Sequence, residues 1–234
     1  MPLVELRQQQ DLISREAAQL VLPILLRGAE AGLPEAGWLR IAALLYPQLV
    51  GWRGQAAAIS YLAARAVLPS ASRPPPLPYD IAWTLQALRS TVFGVPRNAP
   101  GWSPAKVAAD GSARLVRHVE QAGRETPIQV SSASGGKGRW ARVADSSQPC
   151  PFCALMISRG PVYHSDARRS AGFQAHDKDR CVAILVRDGQ RDWPGRDEFE
   201  RIQEIYYDAS SGVYGEEKWH AFRKAYENPD RKAA

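Results

Sequence analysis

Over residues 3–67 apolar side chains recur at helical spacing: Leu6, Ile13 and Leu20 stand seven apart, and Ile41, Leu44 and Leu45, then Ile59, Leu62 and Ala63, continue the pattern. The stretch reads as helices. Gly28, Gly32-Leu33-Pro34 and Gly51 punctuate it, and Pro23 and Pro47 are expected to kink or end helices near them. Ser72-Arg-Pro-Pro-Pro-Leu-Pro78 cannot be helical and reads as a stiff, extended connector. From Asp80 to Phe93 a further helix is expected, because Ile81, Leu85, Leu88 and Val92 share one stripe. Another runs from Ser103, a good N-cap with Pro104 at the first helical position, to Gly123.

Beyond Ile128 the period changes. Ile128-Gln-Val130 and Arg139-Trp-Ala-Arg-Val143 alternate like short strands, and Ser131-Ser-Ala-Ser-Gly-Gly-Lys-Gly138 between them reads as the turn of a hairpin. Val182-Ala-Ile-Leu-Val186 predicts a third strand. Phe199, Ile202, Ile205 and Tyr206, then Trp219, Phe222 and Tyr226, mark two amphipathic C-terminal helices. The pattern predicts an α+β chain in three parts: a helical region over 1–125, a small antiparallel sheet region over 126–190, and C-terminal helices over 191–234.

Composition narrows the class. With 45% hydrophobic and 23% charged residues among 234, the chain has the balance of a globular protein and not of a disordered one. The apolar run Leu20–Leu26 is far shorter than the ~20 residues that span a bilayer and contains Pro23, so no transmembrane helix is expected. The start lacks a basic segment followed by an apolar one, so folding in a cytoplasm is expected. A net charge of +6 permits a polyanionic neighbour such as DNA, but the charge is spread along the chain without a block.

Three cysteines are too few and too clustered for a disulfide framework, and their spacing changes the picture more than charge does. Cys150-x2-Cys153 is followed by His176-x4-Cys181, with 22 residues between the pairs. A two-residue gap lets both thiolates of a knuckle reach one ion, and three sulfurs with one imidazole suit tetrahedral zinc. Asp179 and His164 are spare candidates. The same residues also fit reduced core cysteines and a surface histidine.

Two other chemistries compete. His118-Val-Glu120 ahead of Pro149-Cys150-Pro-Phe-Cys153 matches the H-x-E…P-C-x-x-C pattern of zinc nucleobase deaminases, in which the glutamate shuttles a proton. The expected helix starting near Ser103 places both residues late in it, whereas that chemistry needs them at the start of a helix lining the site. Ser134-Gly-Gly-Lys-Gly138 lacks the G-x4-G-K-[ST] spacing of a phosphate loop, and no G-x-S-x-G elbow presents a serine nucleophile.

The motifs between 139 and 187 carry a resemblance. Cys150-Pro-Phe-Cys-Ala154, Ser158-Arg-Gly-Pro-Val-Tyr163 and Gly172-Phe-Gln-Ala-His-Asp177, in that order, resemble the MuF-like minor capsid proteins of tailed bacteriophages, especially those of actinobacteria. The pattern Trp193…Tyr206-Tyr207…Trp219-His-Ala-Phe222 is similar to that family's closing helices. The resemblance implies a structural head-morphogenesis protein of the virion, partnered by the portal protein or the major capsid protein, near packaged DNA and not in a membrane. Proteins that look like this also include capsid maturation proteases, which makes a protease the main enzymatic alternative. It further implies a structural zinc held by Cys150, Cys153, His176 and Cys181. Where the family commonly has H-x2-C-R-C, this chain has His176-Asp-Lys-Asp179-Arg-Cys181, so Asp179 is the alternative fourth ligand.

Overall fold

A computed structural model describes residues 2–75, 77–94, 97–135, 137–144, 148–162 and 181–228. Among these, seven helices and two strands follow in the order α1 (Leu3–Glu30), α2 (Glu35–Val67), α3 (Ile81–Val92), α4 (Pro104–Ala133), β1 (Gly138–Val143), α5 (Pro151–Ile157), β2 (Val182–Arg187), α6 (Arg196–Ser210) and α7 (Glu217–Glu227). The class is α+β, as the residue pattern predicts. Its described residues form two compact units, one of residues 2–62 and 73–126, the other of 63–72, 127–162 and 181–228.

The first unit is helical and holds one apolar core. Along α1, Leu6, Ile13, Ala17, Val21, Leu25 and Ala29 are buried on one face. They join Trp38, Leu45 and Leu49 of α2, Leu88 of α3, and Leu115 and Val119 of α4. The expected starts of α3 and α4 are present. Asp80 caps α3 by accepting from the Ala82 N–H at 2.8 Å, and Ser103 Oγ accepts from the Lys106 N–H at 3.1 Å.

Several expected breaks do not occur. Pro23 and Pro47 lie inside α1 and α2, and neither ends its helix. A helix-interior proline costs about 3 kcal/mol. Against that, Val21 and Leu25 flank Pro23, and Leu45 and Leu49 flank Pro47, all at most 1% exposed. Each such side chain contributes about 1.5–3 kcal/mol by leaving water, so burial on both sides offsets the break. Both prolines face outward, as do Gln19 and Ala43, the residues four positions earlier whose carbonyls lose a donor and can turn to water.

The hairpin expected over 128–143 is also absent. Ile128-Gln-Val130 is helical, because α4 runs through Gly123 and Pro127 to Ala133. Thr126 and Val130 are buried on either side of Pro127, so flanking burial again offsets the break, here with the proline itself buried as well. Gly123 is a crossing point rather than a terminator: a Cβ there would lie 2.9 Å from Gln10 Nε2 and 3.1 Å from Ser60 Oγ.

In the second unit β1 pairs with β2 in an antiparallel ribbon, with Gly138 opposite Arg187 and Val143 opposite Val182. Except for Arg139 and Arg187 the paired residues are buried, so the ribbon is covered on both faces. Helix α5 packs on β1 and on α6 and α7, which pack on each other.

The connector after α2 has no regular structure over its described residues. It ends at Tyr79, whose carbonyl accepts from Tyr46 Oη at 2.8 Å and whose hydroxyl lies 2.9 Å from Thr84 Oγ1. The Arg53 guanidinium, on a residue 6% exposed, sits 4.4 Å from the Tyr79 ring centre and donates to the His118 carbonyl. Burial pulls its pKa down, while Tyr79 and Glu125 partly restore it.

If burial of the flanking residues carries α1 past Pro23, then Pro23→Ala restores one backbone hydrogen bond and removes the ring clash without touching the core. The expected gain is about 1–3 kcal/mol in urea unfolding. A loss of stability would mean that the proline shapes the helix for packing.

Candidate metal centre

Cys150 precedes α5 in extended conformation, with φ −60° and ψ 156°, and acts as its N-cap. Its Sγ accepts from the Cys153 N–H at 3.4 Å, and Pro151 occupies the first turn, where its missing N–H costs nothing. This explains the local sequence: Cys-Pro-Phe-Cys is a helix start with two sulfurs on its first turn. Sequence pattern alone did not reveal α5, which is too short for a visible period.

Cys150 is half-buried and Cys153 and Cys181 are buried. Burial pushes the Cys150 thiol above its ordinary pKa, opposed by the N–H groups of Cys153 and Phe152. From α7, Tyr226 Oη donates to the Pro149 carbonyl at 2.9 Å and fixes the strand of chain entering the knuckle. Cys181 stands one residue before Val182, and antiparallel pairing of Val182 with Val143 places it at the end of the ribbon from which the chain leads to Cys150.

Arg142 is a site residue that spacing arguments miss. It is 3% exposed, its Nη1 lies 3.7 Å from Cys153 Sγ, and its guanidinium lies 5.8 Å from the Phe152 ring centre. The available signal was a charge inside Trp140-Ala-Arg-Val143, a run otherwise apolar.

His176 and Asp179, with His164, lie outside the described residues. Among the described residues no group of three or more His, Cys, Asp and Glu side chains converges to hold a metal. Cys150 and Cys153 stand together at the start of α5, and Cys181, one residue before β2, does not join them in a three-residue group.

The Ser158-Arg-Gly-Pro run has a structural reason. Ser158 caps α5, and Gly160 takes φ +62°, where a Cβ would lie 2.6 Å from the Phe199 ring. Only glycine fits that left-handed turn against α6.

His118 and Glu120 lie in the middle of α4. The His118 ring meets Tyr79 edge-on with centres 5.7 Å apart. Glu120 accepts from Ser14 Oγ at 3.0 Å and pairs with Arg124, 3% exposed, at 3.0 Å. Its carboxylate is thus engaged within the helical unit.

A family model described as VG15 protein matches residues 2–209. The chain is 27% identical over 212 residues to the "Gene 15 protein" of Mycobacterium phage D29, covering 74% of this chain and 75% of that one. No solved structure matches. The expected likeness to a phage protein family is supported at that level.

The Cys150 cap separates packing from ligation. Serine caps a helix at least as well as cysteine, so Cys150→Ser leaves chelator-treated protein within about 0.5 kcal/mol of the parent. A larger loss in metal-free protein, read by thermal unfolding, would show that the sulfur is held by packing and not poised as a ligand.

Proposed function

The chain belongs to the VG15 protein family, and from that premise we propose that it is a structural minor capsid protein of a tailed bacteriophage, of the MuF-like kind. It is made in the host cytoplasm and resides in the virion head, at the portal or the inner surface. There it acts in head assembly and in DNA packaging or ejection. Its partners are the portal protein, the major capsid protein or both, with packaged DNA contacted through non-specific charge. The observation that carries this reading is the family match over residues 2–209, which runs through both units, joined by the phage relative aligned over most of each chain. The order of the Cys-Pro-Phe-Cys, Ser-Arg-Gly-Pro-Val-Tyr and Gly-Phe-Gln-Ala-His-Asp motifs supplies the finer assignment. Among the described residues no helix is long and apolar enough to cross a membrane.

The role is structural rather than catalytic. The engagement of Glu120 by Ser14 and Arg124, within a continuous helix, supports this over the deaminase reading. Mass spectrometry of purified virions tests the assignment: the chain should be present at low copy relative to the major capsid protein. Presence in precursor heads with loss from mature ones would favour the maturation-protease reading instead.

A structural zinc belongs to the same proposal. Cys150, Cys153 and His176 hold it, and Cys181 or Asp179 completes four ligands. The paired sulfurs on one turn support that donor set. Bound zinc would staple the segment between β1 and β2 to the ribbon, contributing folding energy directly. Protein purified without chelators is expected to contain about one zinc per chain by elemental analysis and to melt lower once it is stripped. Metal-free protein with an unchanged melting temperature after zinc addition would remove the ion from the account.

A further inference from the structure

The two cysteines at the start of α5 are placed for a chemistry that needs no metal. Cys150, Cys153 and Cys181 are all thiols. Residues three apart on a helical turn have Cα atoms about 5 Å apart, inside the span of roughly 4.4–6.8 Å that a disulfide bridges. Within a helix two such side chains diverge. Cys150, however, stands at the N-cap with ψ 156°, and this extended backbone turns its sulfur over the first turn. Its Sγ lies 3.4 Å from the Cys153 nitrogen and also interacts with the Cys153 side chain. Closing the pair therefore asks for side-chain rotation and little backbone movement.

The backbone around the pair is held in place. Tyr226 Oη fixes the Pro149 carbonyl at 2.9 Å, Pro151 restricts φ in the first turn, and the Ala154 N–H donates to the Cys150 carbonyl at 2.9 Å. A short, ordered loop between two thiols gives each a high effective concentration at the other, which favours ring closure over attack by a second molecule. Cys181 does not join them in a three-residue group, so the pairing that geometry offers is Cys150 with Cys153.

Access to the two sulfurs is unequal. Cys150 is half-buried, whereas Cys153 is only 2% exposed. In thiol–disulfide exchange the thiol that a reagent can reach attacks first, and an enclosed neighbour needs to reach only the mixed disulfide that results. The burial pattern thus assigns the first step to Cys150 and the second to Cys153.

We propose that Cys150 and Cys153 form a reversible redox dithiol that exchanges with small-molecule disulfides of the oxidised glutathione class. The Cys150 thiolate attacks one sulfur of the reagent, forming a mixed disulfide and expelling one glutathione thiolate. Cys153, its proton lost to solvent, then attacks Cys150 Sγ, forming the Cys150–Cys153 bond and expelling the second glutathione thiolate. Each expelled thiolate takes up a proton, so two protein thiols are oxidised and one small disulfide is reduced to two thiols. The bond and a zinc ion held by both sulfurs exclude one another. The dithiol chemistry itself requires neither zinc nor a place in the virion, and so does not rest on the proposed function.

Treating the folded, chelator-stripped full chain with oxidised glutathione, then alkylating it and mapping its peptides by mass, tests the pair. Two of the three thiols should be lost together while Cys181 remains open to alkylation. The tryptic peptide 143–159, which holds both Cys150 and Cys153, should be lighter by two hydrogens and carry no alkyl group until dithiothreitol restores both thiols. Cys153→Ala should stop at a glutathione adduct on Cys150. Cys150→Ser, which keeps the cap, should leave Cys153 reacting about tenfold or more slower than Cys150 does in the parent. Three thiols retained in the parent, a bond that includes Cys181, or a glutathione adduct that persists on Cys150 with Cys153 present would each overturn the proposal. Equal reactivity of Cys153 in the Cys150→Ser chain would overturn the order of attack.

Discussion

The first unit depends on one constraint: buried side chains on both sides of a helix breaker must outweigh the break. Val21 and Leu25 around Pro23, and Leu45 and Leu49 around Pro47, are each at most 1% exposed. Two such residues contribute about 3–6 kcal/mol together, against about 3 kcal/mol for one interior proline. At Pro23 and Pro47 the ring also faces solvent, where a carbonyl deprived of its donor can find water. Among the described residues, Pro23, Pro47 and Pro127 each sit between buried neighbours, but Pro127 is itself buried, and the carbonyl it deprives is that of Gly123, at the crossing with Gln10 and Ser60. Long helices in this chain are therefore products of tertiary burial, and propensity taken residue by residue would cut each of them short.

That competition explains what the residue pattern disclosed. Helical stripes, the start of α3 near Asp80, the cap at Ser103 and the strand-like runs of β1 and β2 were legible, because each is a local signal. The end of α4 was not, since Gly123 and Pro127 look like a stop until Ser60 and Gln10 are known to cross there. The partner of β1 was also hidden. Arg139–Val143 alternates as a strand should, but alternation carries no information about which strand lies alongside, and the nearest candidate in sequence, Ile128–Val130, belongs to a helix. At the candidate centre, Cys150 and Cys153 were legible from spacing. Their place on the first turn of α5 and the guanidinium of Arg142 beside them were not, because both depend on packing.

Each unit buries an arginine over an aromatic ring, Arg53 over Tyr79 and Arg142 by Phe152. Burying a guanidinium is expensive, and an apolar residue of similar volume would often serve stability as well. What an arginine adds is direction. Arg53 reaches the His118 carbonyl and the face of Tyr79 together, and Tyr79 ends the proline-rich connector, so the two contacts tie the end of the connector to α2 and α4. Arg142 similarly reads the knuckle, contacting Phe152 and the Cys153 sulfur in a single placement.

The same logic bears on how charge and apolar surface are shared out. The net charge of +6 is dispersed over the chain, which suits weak, salt-sensitive attraction to a polyanion and no particular sequence of it. Helix α2 does the opposite: between Arg40 and Arg65 its one charge, Arg53, is buried, while Leu44, Val50 and Leu62 are exposed. Attraction through dispersed arginines weakens as salt rises, whereas contact through an uncharged face does not.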